Sequence, residues 1–137
     1  MDRYLRSHID RIYALTRLVV GALFLSHGAK TLFGILGGQP GAGPEFLSLL
    51  WFAGMIELVG GGLICIGFLT SWAAFLCSGQ MAVAYFMVHL PKGAYPIMNG
   101  GELAALYSWV FLLMAARGSG PWSLDSFLRG GSEVDRI

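Results

Sequence analysis

Four apolar blocks govern what this chain can fold into. They run roughly from Ile12 to Phe33, Phe46 to Leu69, Trp72 to Leu90 and Gly101 to Ala116, parted by short polar or Gly- and Pro-rich breaks. A helix needs about 20 mostly apolar residues, with a range of about 17–25, to cross the hydrocarbon of a bilayer. Three blocks reach that length easily and the fourth only marginally. None carries the polar face by which a soluble helix meets water, and none alternates as a barrel strand does. The sequence therefore predicts an all-α membrane protein, an antiparallel bundle of four transmembrane helices. Composition agrees: 55% of the 137 residues are hydrophobic and 12% are charged, against about 25% charged in soluble domains.

One domain is expected at 12–125, between an N-terminal tail at 1–11 and a C-terminal tail at 126–137. The first block is too long for a cleavable signal, and no small-residue cleavage site follows it. Arg3, Arg6 and Arg11 precede the blocks, and Arg117, Arg129 and Arg136 follow them. The loop from Gly34 to Glu45 has no Lys or Arg, and the loop after the third block has Lys92 alone. By the positive-inside rule both termini are expected in the cytoplasm. Thr70-Ser71 reads as a tight link that makes the second and third helices a hairpin. Trp122 is expected at headgroup level, and Ser123 is placed to cap a short amphipathic helix through Leu128, with the residues after Gly130 fraying. A net charge of +1 suggests no nucleic-acid partner. Cys65 and Cys77 lie in spans without CxxC or Cys/His spacing, so no metal motif is present, and packing is favoured over a disulfide there. Met81, Met87, Met98 and Met114 read as core filler.

The chemistry is concentrated in a few polar residues inside the blocks. Glu57 lies near the middle of the second, where an unpaired carboxylate costs on the order of 3 kcal/mol or more. It is too short and too deep to reach the interface, so it is expected to face the bundle interior. Gly54, Gly60 and Gly61 stand beside it and allow a helix or a ligand to approach. Arg17 sits low in the first block, and His27 and Lys30 share a face higher up. Tyr85 and His89 close the third block, and Asn99 and Glu102 open the fourth. The formal charges balance as a buried network of Arg17, Glu57, Lys30 and Glu102. Glu57 is expected to meet the first helix between Arg17 and His27, and Lys30 to meet Glu102. Such ion pairs can simply tie a bundle together. Equally, His27 can exchange a proton near neutral pH, and His27, Lys30, Glu57 and Glu102 form a candidate ligand site. His89 reads as an interfacial residue before a ligand.

Specific runs carry a resemblance. They are Arg17-Leu18-Val19-Val20-Gly21-Ala22-Leu23-Phe24 with His27-Gly28-Ala29-Lys30, Glu57-Leu58-Val59-Gly60-Gly61-Gly62-Leu63, and Gly67-Phe68-Leu69-Thr70. Asn99-Gly100-Gly101-Glu102 and Gly118-Ser119-Gly120-Pro121-Trp122-Ser123-Leu124-Asp125 follow. In order and spacing the chain resembles the DoxX family of small bacterial membrane proteins, from about Ile12 to Asp125. The resemblance implies a four-helix bundle in the plasma membrane. The family is named for a relative of the small subunit of a thiosulfate:quinone oxidoreductase, and other members are linked to redox or thiol-stress systems. It therefore implies a redox-linked, quinone-associated subunit. Lys30 would polarise a quinone carbonyl, and His27 or Glu57 would carry the accompanying proton. No haem, flavin or iron–sulfur motif is present, so there is no intrinsic cofactor, and electrons would come from a partner protein. Two other readings stay open: a non-catalytic scaffold or accessory subunit of a larger complex, and a small-solute or proton pathway, for which an oligomer could supply the route. Enzymatic activity is left undecided.

Overall fold

Caps set where the apolar blocks stop being helix. Ser48 accepts a hydrogen bond on its Oγ from the Trp51 N–H at 3.2 Å, and Gly67 takes a left-handed conformation that returns its N–H to Leu63 and Ile64. Those two caps bound the second block at Leu49–Ile66, shorter at each end than its apolar run. The computed structural model describes residues 2–134, with side chains from 4 to 130. The Arg3 side chain, Arg136 and the last residues of the C-terminal tail lie outside the described residues. The elements are α1 (Asp2–Ser7), α2 (Ile9–Phe33), α3 (Leu49–Ile66), α4 (Thr70–Ala84), α5 (Pro96–Asn99), α6 (Glu102–Arg117) and α7 (Leu124–Val134). There is no strand among the described residues.

Several boundaries differ from expectation. Residues 1–11, read as a tail, hold α1 and the first turn of α2. Thr70 and Ser71 are not the link but the first turn of α4, and the chain reverses at Gly67–Leu69. The amphipathic helix at the C-terminus runs to Val134, past Leu128 and into the stretch after Gly130 that was expected to fray. Its start is as expected: Ser123 Oγ accepts the Ser126 N–H at 3.1 Å. Beyond Ala84 the third block changes pitch, with a π-helical turn at Tyr85–His89 and a 3₁₀ turn at Leu90–Lys92.

Three helical segments are long and apolar enough to cross a membrane: Ile9–Phe33, Leu49–Ile66 and Thr70–Lys92. α6, with 16 residues, is about 24 Å long, short of the roughly 30 Å hydrocarbon core.

α2 packs chiefly on α3, α3 on α4, and α4 on α6. Close approaches pair Gly21 with Cys65 and Gly28 with Leu58, so α2 and α3 run in opposite directions. Ser78 Oγ donates to the Ser108 carbonyl at 2.8 Å and holds α4 to α6. Phe24, Tyr107 and Phe111 pack ring against ring where α2 meets α6. At the end where α2 begins and α6 stops, the Tyr13 hydroxyl donates to the Gly118 carbonyl and Arg117 pairs with Asp10 at 2.6 Å. We call this the terminal end. Of the methionines read as core, Met81 and Met114 are buried, whereas Met87 and Met98 are exposed. Both cysteines are free thiols.

Candidate functional site

The expected charge network is not formed. Arg17 is 1% exposed, but its partners are carbonyls. Nη1 donates to Ile64 at 3.0 Å and to Cys65 at 3.3 Å, and Nη2 donates to Trp122 at 2.7 Å. The guanidinium thus closes the C-terminus of α3, where unpaired carbonyls and the helix dipole favour a cation. The backbone pairing of α2 with α3 puts Arg17 beside Ile64, about two turns from Glu57, too far for an ion pair. Nor does an ion pair join Lys30 to Glu102. Both are exposed, and neither lines the cavity described below.

Asp125 belongs to the same terminal-end knot. Its Oδ1 accepts the Leu69 N–H at 3.2 Å, its Oδ2 accepts the Ser119 hydroxyl, and its own N–H donates to Gly67. Desolvation raises the carboxyl's pKa, but three influences outweigh it: the Ser119 hydroxyl, the Leu69 and Thr70 N–H groups, and the Arg129 charge. They hold the carboxyl below its ordinary range.

Glu57 finds partners of another kind. Thr31 Oγ1 donates to Oε2 and Gln80 Nε2 donates to Oε1, each at 3.4 Å. α2 therefore meets Glu57 at Thr31, one turn beyond His27, and not at the expected place between Arg17 and His27. Gln80 was not among the sequence candidates, although an amide inside an apolar block was a readable signal.

A cavity of about 880 Å³ opens beside this pair. α3 contributes Ala53, Ile56 and Glu57; α4 and its π turn contribute Gly79, Gln80 and His89; Ala104 and Tyr107 come from α6, with Phe24 and His27 from α2. It runs from the end of the molecule opposite the terminal end to mid-depth. The lining is mostly apolar, with the side chains of His27, Glu57, Gln80, His89 and Tyr107 set into it. Such a chamber falls within the roughly 300–1,000 Å³ range of small-molecule sites. At Gly79 a Cβ would meet nothing within 4 Å, which leaves the α4 wall open there. The π turn is also part of the wall and presents Met87, Val88 and His89 to it. Of the four candidate ligand residues, the structure brings His27 and Glu57 together in this chamber and leaves Lys30 and Glu102 outside it. His89, read as interfacial, lines it, with Nδ1 3.2 Å from the Asn99 carbonyl oxygen. Tyr107 was missed, and its ring stands edge-on to His27 at 6.2 Å between centroids.

The glycines beside Glu57 face three different neighbours. A Cβ on Gly61 would strike the Leu25 backbone, one on Gly60 the Cys77 sulfur, and one on Gly54 the Leu32 side chain. Among the described residues no group of three His, Cys, Asp or Glu side chains is placed to hold a metal ion.

Comparison with known proteins gives a consistent picture. The family model for DoxX matches residues 12–90. A protein of Haemophilus influenzae, described only as an uncharacterized protein, is 43% identical over 120 residues, covering 82% of this chain and 87% of that protein. No solved structure matches the chain.

Proposed function

The chain belongs to the DoxX family of membrane proteins, and from that premise we propose that it is a quinone-associated, redox-linked subunit whose lateral cavity receives the ligand headgroup. The observation that carries this reading is the cavity beside Glu57, a mostly apolar chamber with a few polar side chains set into its lining. The fit to a quinone rests on that mixed lining. The apolar lining suits a ring and its chain, and Glu57, Gln80 and His27 supply the few polar groups that would orient a headgroup. A quinone held there supplies two-electron, two-proton chemistry.

The residues of this chain bind, orient and handle protons. Glu57 holds or releases a proton at its carboxylate oxygens, with Gln80 and Thr31 fixing the group. His27 stands beside Tyr107 in the same chamber and can pass a proton toward the open end. Aromatic rings at Phe24, Phe75 and Tyr107 exclude water from the apolar part. Electrons come from a partner protein carrying its own redox group. Lys30, outside the cavity, takes no part.

The same reading takes α6 as a fourth span of an antiparallel bundle in the plasma membrane, with both termini cytoplasmic. The support is the terminal-end tie between the start of α2 and the end of α6, through Asp10–Arg117 and Tyr13–Gly118. Gly101, α5 and the turn after Gly118 extend the short helix toward both interfaces.

The test is the quinone content of protein purified in native lipid. Wild type is expected to retain quinone, and Gly79→Leu, which fills the open wall, to lose it. Equal content in both proteins, or none in wild type, would refute the reading.

A further inference from the structure

Glu57 has no positive charge to answer it. No ion pair of Glu57 occurs among the described residues. Arg17 serves the end of α3, and Lys30 stands outside the chamber. The titratable groups that face Glu57 are Cys77 on α4 and Tyr107 on α6, both within electrostatic reach, with His27 of α2 in the same lining. A thiol and a phenol carry no positive charge in any state. α3 has no other charged side chain.

The hydrogen bonds of Glu57 point the same way. Bonds to an ionised carboxylate are short, about 2.5–2.9 Å, whereas Thr31 Oγ1 and Gln80 Nε2 both stand at 3.4 Å. The pattern suits an uncharged acid. Oε1 is then the carbonyl oxygen that accepts from the Gln80 amide, and Oε2 carries the proton. The contact with Thr31 holds in either state, because a hydroxyl accepts as readily as it donates.

The openings of the chamber are apolar. Phe52, Phe75, Leu76 and Val83 line it and are also exposed on the outer surface. In a bilayer that surface meets acyl chains, so the chamber opens sideways to lipid between α3 and α4. Toward the end of the molecule opposite the terminal end, Leu49, Met87 and Leu103 are part of the lining.

We infer that Glu57 rests as the protonated, uncharged acid at neutral pH, a proton-donor site that a lipid-soluble reagent reaches from the bilayer. An ionised carboxylate is the costly form at this depth, and a group without a cation avoids that cost by taking up a proton. Oε2 then offers a hydrogen-bond donor, so the head that suits the site carries an accepting oxygen, a carbonyl. The protonation needs no ligand; the choice of head rests on the cavity being the ligand site. It agrees with the electron flow described above. When a partner protein delivers electrons to a carbonyl head, Glu57 already holds a proton to give.

The test joins infrared spectroscopy of the full chain in proteoliposomes to carbodiimide labelling. A protonated carboxyl shows a C=O stretch that a carboxylate lacks. Wild type at neutral pH is expected to show it, and Glu57→Gln to lose it. A carbodiimide adds to a protonated carboxyl with no atom lost. The acid proton moves to nitrogen, the oxygen joins the central carbon, and the acyl group then migrates to nitrogen as a stable N-acylurea. Dicyclohexylcarbodiimide is expected to leave that adduct on Glu57, located by peptide mass mapping, and a water-soluble carbodiimide to leave none. No band in wild type at neutral pH, a band that Glu57→Gln retains in full, or no adduct on Glu57 would overturn the inference. Labelling of Glu57 by the water-soluble reagent as fully as by the hydrophobic one would overturn the lipid-side opening on which it depends. Where the variant fails to fold, the mapped wild-type adduct decides. Neither readout uses quinone, so failure here and failure of the quinone reading are separate results.

Discussion

Replacing Gly61 with alanine adds one methyl group at the seam where α2 and α3 meet backbone to backbone. That Cβ would overlap the Leu25 nitrogen and would lie 2.9 Å from both the Gly21 oxygen and the Leu25 Cα. Non-bonded carbons prefer about 3.5–4.0 Å, so the helices must part locally by about 1 Å. Neither wall can swing aside, because both are main chain. Parting them also loosens the close approaches at Gly21 and Gly28 on the same seam. Overpacking a tight core costs about 1–3 kcal/mol, and the absence of a yielding side chain puts this site toward the upper end, about 2–3 kcal/mol. Gly79→Ala is the control, since its Cβ enters open space; its stability should stay within about 0.5 kcal/mol of wild type. Reversible unfolding by SDS titration in mixed micelles, followed by far-UV circular dichroism, reads both. Gly61→Ala as stable as Gly79→Ala would refute the seam geometry.

Two further outcomes concern the terminal end. Arg17→Leu leaves the Ile64, Cys65 and Trp122 carbonyls without their shared donor and should destabilise the protein by about 1–3 kcal/mol in the same titration. Arg17→Lys should fall between, because an ammonium keeps the charge without the planar fork. Asp125 should make the docking of α7 acid-sensitive. Its folded pKa is lowered, so its contribution is complete above the ordinary carboxylate value of about 3.9 and is lost as pH falls through the lower folded value. A spin label at Leu128→Cys should gain mobility over that acid range, and Asp125→Asn should abolish the transition. A pH-independent label with Asp125 intact would show that the carboxylate does not hold the helix.

Much of the helical framework was legible because apolar length is a local property. The spans around Val20, Val59 and Leu76 could be read from the sequence one window at a time. Their ends were less so: Ser48 and Gly67 act through cap geometry, and the apolar runs continue past both. The partnership of charges was not legible. Whether Arg17 meets Glu57 depends on the register of α2 against α3, which the glycine contacts fix and a charge count does not. Arg17 therefore serves the carbonyls at the end of α3, and Glu57 is left to Thr31 and Gln80. The depth of Glu57 was readable and it does face a chamber, but Lys30 and Glu102 are turned away from it. The π turn after Ala84 carries no obvious sequence signal, yet it brings His89 to the cavity wall.

The central claim is that the space between α3, α4 and α6 holds a lipid-soluble ligand. The most direct measurement is the bound quinone per protein in Gly79→Leu relative to Gly79→Ala, both purified in native lipid and shown equally stable by SDS titration. The two differ in how far a side chain reaches into the cavity. Gly79→Ala is expected to carry as much quinone as wild type, and Gly79→Leu less than about a tenth of it, the loss that follows when a ligand must be displaced at a cost of roughly 1.4 kcal/mol or more. Equal quinone in the two variants would contradict the account.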